Sequence, residues 1–237
     1  MKILIVDQCS GAKKDADRYD PIDQDTLDAV SRAELLERDG VASYPAGELY
    51  EGRQQQRIRE ARELLEGAGD EVDRIFVSAG YGVVREDDRL PLYDVTFADM
   101  GAAEIQSRAD ELEIYENLST LLTDNEYDLV FFALGDDYYR SAKVDDLLPL
   151  VDDETYVVLF NRESAERDFE NVLSLDARTP QAKEFGTIVV ALKGLYIRNF
   201  ASHRRAGETV AALDDLAAFC REDASTQTGL DDYSNNS

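Results

Sequence analysis

The sequence predicts an α/β fold, a single domain with a mostly parallel central sheet flanked by helices. Two observations carry that prediction. Five short runs are apolar on successive residues rather than on alternate ones, the pattern of strands buried on both faces. Between these runs lie segments whose apolar residues recur at helical spacing. Strands alternating with helices imply parallel pairing through crossover connections. The 237 residues are enough to bury a substantial core without staples.

The expected strands are ILIV (residues 3–6), IFV (75–77), LVFFAL (129–134), YVVLF (156–160) and TIVVA (187–191). Asp25 or Thr26 can cap a helix running to about Arg38, and Pro45 can open a second that continues to about Glu66. Ile105, Leu112, Tyr115, Leu118 and Leu122 mark a third helix over 103–122, and Val210, Leu213, Leu216 and Cys220 mark a fourth over 208–220. The domain is expected to span 1–223. The polar and acidic residues 224–237 read as a disordered tail.

Fifty-one acidic residues against 25 basic ones give a net charge of −26. The regular apolar blocks exclude a disordered acidic chain. A nucleic-acid mimic that binds a basic partner would carry such charge, and so would a protein adapted to high salt. The acid is spread along the chain and only six residues are lysine, which favours a halophilic-type acidic protein. On that reading the net charge does not identify a partner. Cys9 and Cys220 are expected to be free thiols. No signal peptide is evident and no apolar stretch approaches the ~20 residues of a membrane span, so a cytoplasmic protein without membrane contact is expected. The sequence implies no oligomeric state.

In a parallel sheet the loops that follow the strands gather at one edge, where ligands of open α/β sheets bind. Three strands here end in polar, glycine-bearing loops. QCSGAKK (residues 8–14) offers Ser10 and Lys13 with room for close backbone approach, suited to an anionic or polar ligand, though it lacks the spacing of a P-loop. SAGYGVVREDDRLPLY (78–93) offers Ser78, Tyr81, Arg85 and Tyr93; a tight turn with packed tyrosines would use the same residues. LGDDYYRSAK (134–143) offers Asp137, Tyr138, Ser141 and Lys143, with Asp136 placed to cap the following helix. Cys9 is a nucleophile or, more simply, a small buried residue, since the only histidine, His203, is far away in sequence. LKGLYIRNFASHRR (192–205) concentrates Lys193, Arg198, Arg204 and Arg205, a cationic exception that suits phosphate or a nucleic-acid backbone; a solvated helix end would look the same. No metal motif and no cofactor motif is evident.

These blocks resemble the YaaA proteins, described as peroxide-stress proteins, and related bacterial, archaeal and phage domains. ILIVDQCSGAKK is similar to that family's first strand and its Ser-Pro-Ala-Lys turn, which matches Ser10, Ala12 and Lys13. GELYEG matches Tyr50 and Gly52. SAGYGVVR with its later Pro-Leu-Tyr matches Ser78, Tyr81, Gly82, Arg85 and Tyr93. DDYYRSAK matches Asp136, Tyr138 and Ser141, and KGLYIRNFA matches Gly194, Leu195 and Arg198. Gly11 stands where the family has proline, and residues 15–44 have no clear counterpart.

The resemblance implies a YaaA-like α/β fold and a protein of oxidative-stress or DNA-damage protection. DNA or a nucleotide would lie in a cleft lined by Lys13, Arg85, Lys143, Lys193 and Arg198, with tyrosines for stacking. Two other readings stay open. One is an enzyme on a nucleotide, a nucleobase or damaged DNA, glycosidase- or transferase-like, with Asp137, Ser78 and Tyr81 as catalytic candidates. The other is an acidic interaction module for a basic partner. Both site readings require Lys13, Tyr50, Arg85 and Ser141 to surround one cleft.

Overall fold

β1 (Lys2–Gln8) lies in the middle of a six-stranded sheet, and the computed structural model describes residues 1–224 of the chain around it. Side-chain alternation divides its apolar residues between two cores. Ile3 and Ile5 face one layer, and Leu4 and Val6 face the other. The successive apolar residues of the sequence therefore do mark a strand covered on both sides.

After β1 come two short helices, α1 (Gln24–Ala29) and α2 (Arg32–Glu37), where the sequence suggested one. Asp23, rather than Asp25 or Thr26, caps the first by accepting the Thr26 N–H at 2.8 Å. Ser31 then interrupts the run and opens α2 through a capping box with Glu34. β2 (Ser43–Pro45), α3 (Ala46–Leu49) and α4 (Arg53–Gly67) follow, so the segment begun at Pro45 also breaks, at Tyr50–Gly52. β3 (Glu71–Ser78) turns back into β4 (Gly82–Arg85), and β5 (Arg89–Pro91) pairs with β2 in a separate ribbon.

α5 (Ala102–Glu111) and α6 (Ile114–Asp124) divide the third expected helix at Glu113, which adopts a left-handed conformation (φ 51°). β6 (Leu129–Phe132) leads into α7 (Asp136–Ala142) and α8 (Val144–Leu147). β7 (Tyr156–Phe160), α9 (Glu163–Asp168), β8 (Val172–Leu175), α10 (Thr179–Glu184), α11 (Val189–Arg205) and α12 (Leu213–Arg221) complete the fold. Residues 225–237, most of the expected tail, lie outside the described residues.

One strand assignment is corrected. Residues 187–191 are not a strand, because the chain closes a turn at Thr187 and enters α11 at Val189. Ile188, Val189 and Val190 are exposed there, so their β-branched character finds no sheet to pack into. The last strand is β8, whose Ser174 interrupts the apolar pattern.

The sheet order is β4-β3-β1-β6-β7-β8, with every pairing parallel except β3 with β4. The order reverses at β1. The chain fills β3 and β4 on one side of β1 and then crosses to β6 on the other, and a crevice outside the carboxyl ends of β1 and β6 is where such sheets bind ligands. α4, α11 and α12 cover the Ile3 and Ile5 face, while α3 and α5 to α8 cover the other.

Candidate functional site at the carboxyl edge of the sheet

β1 delivers Cys9 and, four residues later, Lys13 to the carboxyl edge. The Lys13 backbone forms an antiparallel bridge with Tyr50, which fixes the break between α3 and α4 against the first loop. β3 delivers Ser78, and Tyr93 arrives from the segment after β5. These side chains meet. Tyr50 and Tyr93 share a hydrogen bond at 2.8 Å, and Ser78 joins Tyr93 at 2.7 Å. All three are buried. Cys9 Sγ lies 2.9 Å from the Tyr138 hydroxyl, which ties β1 to α7 across the point where the strand order reverses. The Gln8 side chain accepts the Gly135 N–H at 2.6 Å beside it.

Lys13 is the outlier of the cluster. It is 7% exposed, and its Nζ sits 4.5 Å from the centre of the Tyr93 ring. Among the described residues its Nζ has no hydrogen bond and no ion pair. Burial pushes the Lys13 ammonium below its ordinary range, while Cys9 and the exposed Asp94 pull it partly back. Burial likewise pushes the Tyr50, Tyr93 and Tyr138 hydroxyls upward, and the neighbouring Cys9 adds to this, so all three stay protonated. Keeping a largely buried amine charged against an aromatic face is costly, and amines perturbed in this way cluster at functional sites.

Two glycines make the arrangement possible. A Cβ on Gly80 would meet the Tyr93 ring at 2.6 Å, and Gly82 turns the chain into β4 with φ +71°. Tyr81, between them, packs its ring edge-on to Tyr93 at 5.0 Å. Ser10 accompanies Lys13 in the first loop, where its hydroxyl donates to the Ala12 carbonyl.

The other expected residues are not brought into this cluster. Arg85 is exposed on β4, paired in register with Ile75, and its charge acts on Tyr127 beside Asp73, away from the edge. The expectation that Lys13, Tyr50, Arg85 and Ser141 surround one cleft is thus corrected: Lys13 and Tyr50 are joined through their backbones, and Arg85 and Ser141 stand apart from them. Ser141 is buried inside α7, bonded to the Tyr138 carbonyl one turn back. Lys143 reaches Asp110 at 2.9 Å, and Asp137 pairs with Arg140 on the outside of α7. Gly135, not Asp136, is the cap of α7, and Asp136 pairs with Arg162.

The cationic helix is spent on internal partners. α11 runs antiparallel to the strands, so Lys193 sits at the carboxyl edge, where it donates to the Leu134 carbonyl. Arg198 pairs with Glu60 and Asp223, Arg204 grips Asp70 beside the chain's amino terminus, and Arg205 donates to the Gly67 carbonyl. Among the described residues Arg85 lies away from the carboxyl edge while Lys143, Lys193 and Arg198 are each engaged with a partner of their own, so these cations do not form a free row beside Lys13.

Sequence reasoning missed a charged network behind the site. Asp7 and Arg74 form a fully buried ion pair at 2.8 Å, with Gln54 and Gln55 donating to Asp7 and Glu86 accepting from Arg74. The signal was an aspartate at the end of an apolar strand and an arginine at the start of another. Among the described residues no group of histidine, cysteine and carboxylate side chains is arranged to hold a metal, and no helix is long and apolar enough to cross a membrane. A cavity of about 670 Å³ opens on the same edge around Tyr139, Arg140 and Arg162, without Lys13 in its lining. Another, about 730 Å³, lies at the opposite edge around Tyr127 and Asp152, remote from this chemistry. Neither a family model nor a curated protein matches this chain.

Proposed function

We propose that the protein is an enzyme that acts on a nucleotide, a nucleobase or damaged DNA at the carboxyl edge of the sheet, with Lys13 as its reactive group. The observation that carries this reading is the largely buried Lys13 side chain, whose Nζ is unpaired among the described residues, lies over the Tyr93 ring and is near enough to the Cys9 thiol for their charges to interact. Stability alone would select a salt bridge or an apolar residue at such a position. The substrate class draws on the YaaA resemblance. Of its matching positions, Ser10, Lys13, Tyr50, Ser78, Tyr81, Tyr93 and Tyr138 fall in or beside this one cluster, whereas Arg85, Asp136, Ser141 and Arg198 do not, and it brings with it a setting of oxidative or DNA damage. Passive DNA binding has less support, since it needs a row of free cations. Lys143, Lys193 and Arg198 are engaged with partners of their own.

The test uses the full chain in high potassium with a panel of nucleosides, nucleotides and damaged duplexes, the products being separated by chromatography. Turnover of one class that is lost in Lys13→Met supports the proposal. A wholly inert panel, together with no nucleotide co-purifying by mass spectrometry, refutes it.

A further inference from the structure

Arg162 follows β7 closely and lines the cavity of about 670 Å³ at the carboxyl edge, and the residues around it hold it in place. Asn161, just before it, adopts a left-handed backbone (φ 59°), donates its N–H to the Leu175 carbonyl and accepts the Ala177 N–H on its side chain at 2.8 Å. The Arg162 N–H donates to the Ser174 hydroxyl at 2.8 Å, which accounts for the polar residue that breaks the apolar run of β8. The guanidinium then lies over the Tyr139 ring, its carbon 4.2 Å from the ring centre. That ring is itself fixed, because the Tyr139 hydroxyl donates to the Phe132 carbonyl at 2.9 Å and accepts the Phe160 N–H at 3.0 Å. Arg162 is tied in this way to β6, β7 and β8 at once.

This support exceeds what the arginine returns to the fold. Of its five side-chain N–H groups, one reaches the Asn161 carbonyl at 3.3 Å and one reaches Asp136 at 2.9 Å. The other three have no acceptor among the described residues. The Asp136 side chain is 83% exposed, so the ion pair is a surface one of small worth. A guanidinium held still in a cavity, with N–H groups to spare, is the fork that grips an oxyanion by two bonds at once. Two residues on, Ser164 lines the same cavity, and its hydroxyl has no partner among the described residues. Arg140 and Lys143 line it too, each held by an aspartate of its own. Lys143 takes its place with a left-handed backbone (φ 49°). Two of the four non-glycine residues in that conformation, among the described residues, therefore lie in or beside this cavity, and such strain gathers at functional sites.

We propose that this cavity binds the phosphate group of a small phosphate monoester, with Arg162 as its main contact and Asp136 in its place when the ligand is absent. A carboxylate offers two oxygens, which the Arg162 fork alone would satisfy. Phosphate offers a third, and Ser164 is the donor for it. Asp145 and Asp146 also line the cavity and repel an anion. Both are exposed, and salt screens exposed charges more than it screens a partly buried guanidinium. At high salt the attraction of Arg162 outlasts their repulsion. The site does not depend on the chemistry of Lys13, which is not part of its lining. Nucleotides and sugar phosphates share the group it recognises.

The test titrates the full chain by calorimetry in about 1 M potassium chloride with adenosine 5′-monophosphate, ribose 5-phosphate and, as the carboxylate control, acetate. The expected result is saturable binding of at least one ester and none of acetate. Arg162→Lys keeps the charge and loses the fork, and should weaken binding about 10- to 100-fold. Asp136→Asn removes the competing carboxylate and should strengthen binding by up to about 5-fold. A gain of affinity does not arise from misfolding, so this variant decides the matter even if the Arg162 variant fails to fold. Labelling with phenylglyoxal, mapped by peptide mass spectrometry, should show Arg162 protected by the bound ester above every other arginine. Binding of the nucleotide alone supports the site and places the base in the cavity as well; binding of ribose 5-phosphate supports it with the phosphate and sugar sufficient. No saturable binding of either ester, acetate bound as tightly as they are, protection at another arginine, or unchanged or weaker binding in Asp136→Asn overturns the proposal.

Discussion

Replacing Lys193 with methionine should change how stability depends on pH, and the size of the effect can be worked from its position. Burial among the ends of β6 and α11 lowers the Lys193 ammonium from its ordinary 10.5 to about 8. A shift of about 2.5 units at about 1.4 kcal/mol each costs the folded state about 3 kcal/mol while the amine is charged in both states. That cost is fully present below the folded value. As pH rises from 8 toward 10.5 the unfolded chain binds more protons than the folded one, so stability increases. Methionine abolishes this titration. The stability of Lys193→Met relative to wild type should therefore fall by about 2 kcal/mol between about pH 7 and about pH 9.5. Losing the bond to the Leu134 carbonyl adds a constant cost of about 1–3 kcal/mol and does not alter the slope. Urea unfolding of both proteins at the two pH values measures the difference, and the tyrosines, common to both, cancel. A flat difference, or one of opposite sign, would refute the burial argument. The same titration bears on function, because an amine poised near 8 and bonded to a carbonyl is a poor fixed charge for holding phosphate.

Four further outcomes are expected. Arg74→Met leaves the Asp7 carboxylate buried and unpaired, and should cost about 3–5 kcal/mol by urea unfolding, part of which Asp7→Asn in the same chain restores. Gly80→Ala forces the Tyr93 ring away from the 2.6 Å contact a Cβ would make; it should cost about 1–3 kcal/mol by urea unfolding. Thermal unfolding followed by circular dichroism should shift upward with potassium chloride, since a charge of −26 is screened as the Debye length falls from about 10 Å at 0.1 M to about 3 Å at 1 M. Lys193→Ala combined with Arg198→Ala should leave duplex DNA binding in gel-shift titrations unchanged, and a loss of binding would restore the cationic groove.

What the sequence made legible follows from the physics of each signal. Doubly buried parallel strands leave successive apolar residues, so β1, β3, β6 and β7 could be placed, and their shared direction brought Ser10, Lys13, Ser78 and Tyr138 to one edge. Helix interruptions were harder to see. Ser31, Glu113 and the Tyr50–Gly52 break act through caps and single backbone conformations that an apolar period does not register. Arg85 was misplaced because β4 returns antiparallel and carries it away from the edge that β3 reaches. The cations of α11 looked free because their partners, Glu60 and Asp70, are distant in sequence. Asp7 with Arg74 was missed for the same reason: a buried ion pair is a property of two strands, and each half alone resembles a strand end.

The antiparallel return of β4 gives the site one adjustable wall. The loop after β1 is fixed by the bridge to Tyr50, and the loop after β6 runs directly into α7, so lengthening either would require a helix to dock anew. The turn that carries Tyr81 joins two strands of a hairpin at the margin of the sheet. Residues inserted after Tyr81, beyond the Gly80 contact with Tyr93 and the N–H groups held by Ser78, would change what lies over Tyr93 and leave the register of β3 and β4 intact. Selection for a different substrate would therefore act most freely on this hairpin tip, while Lys13 and Tyr50 stay fixed by the backbone that joins them.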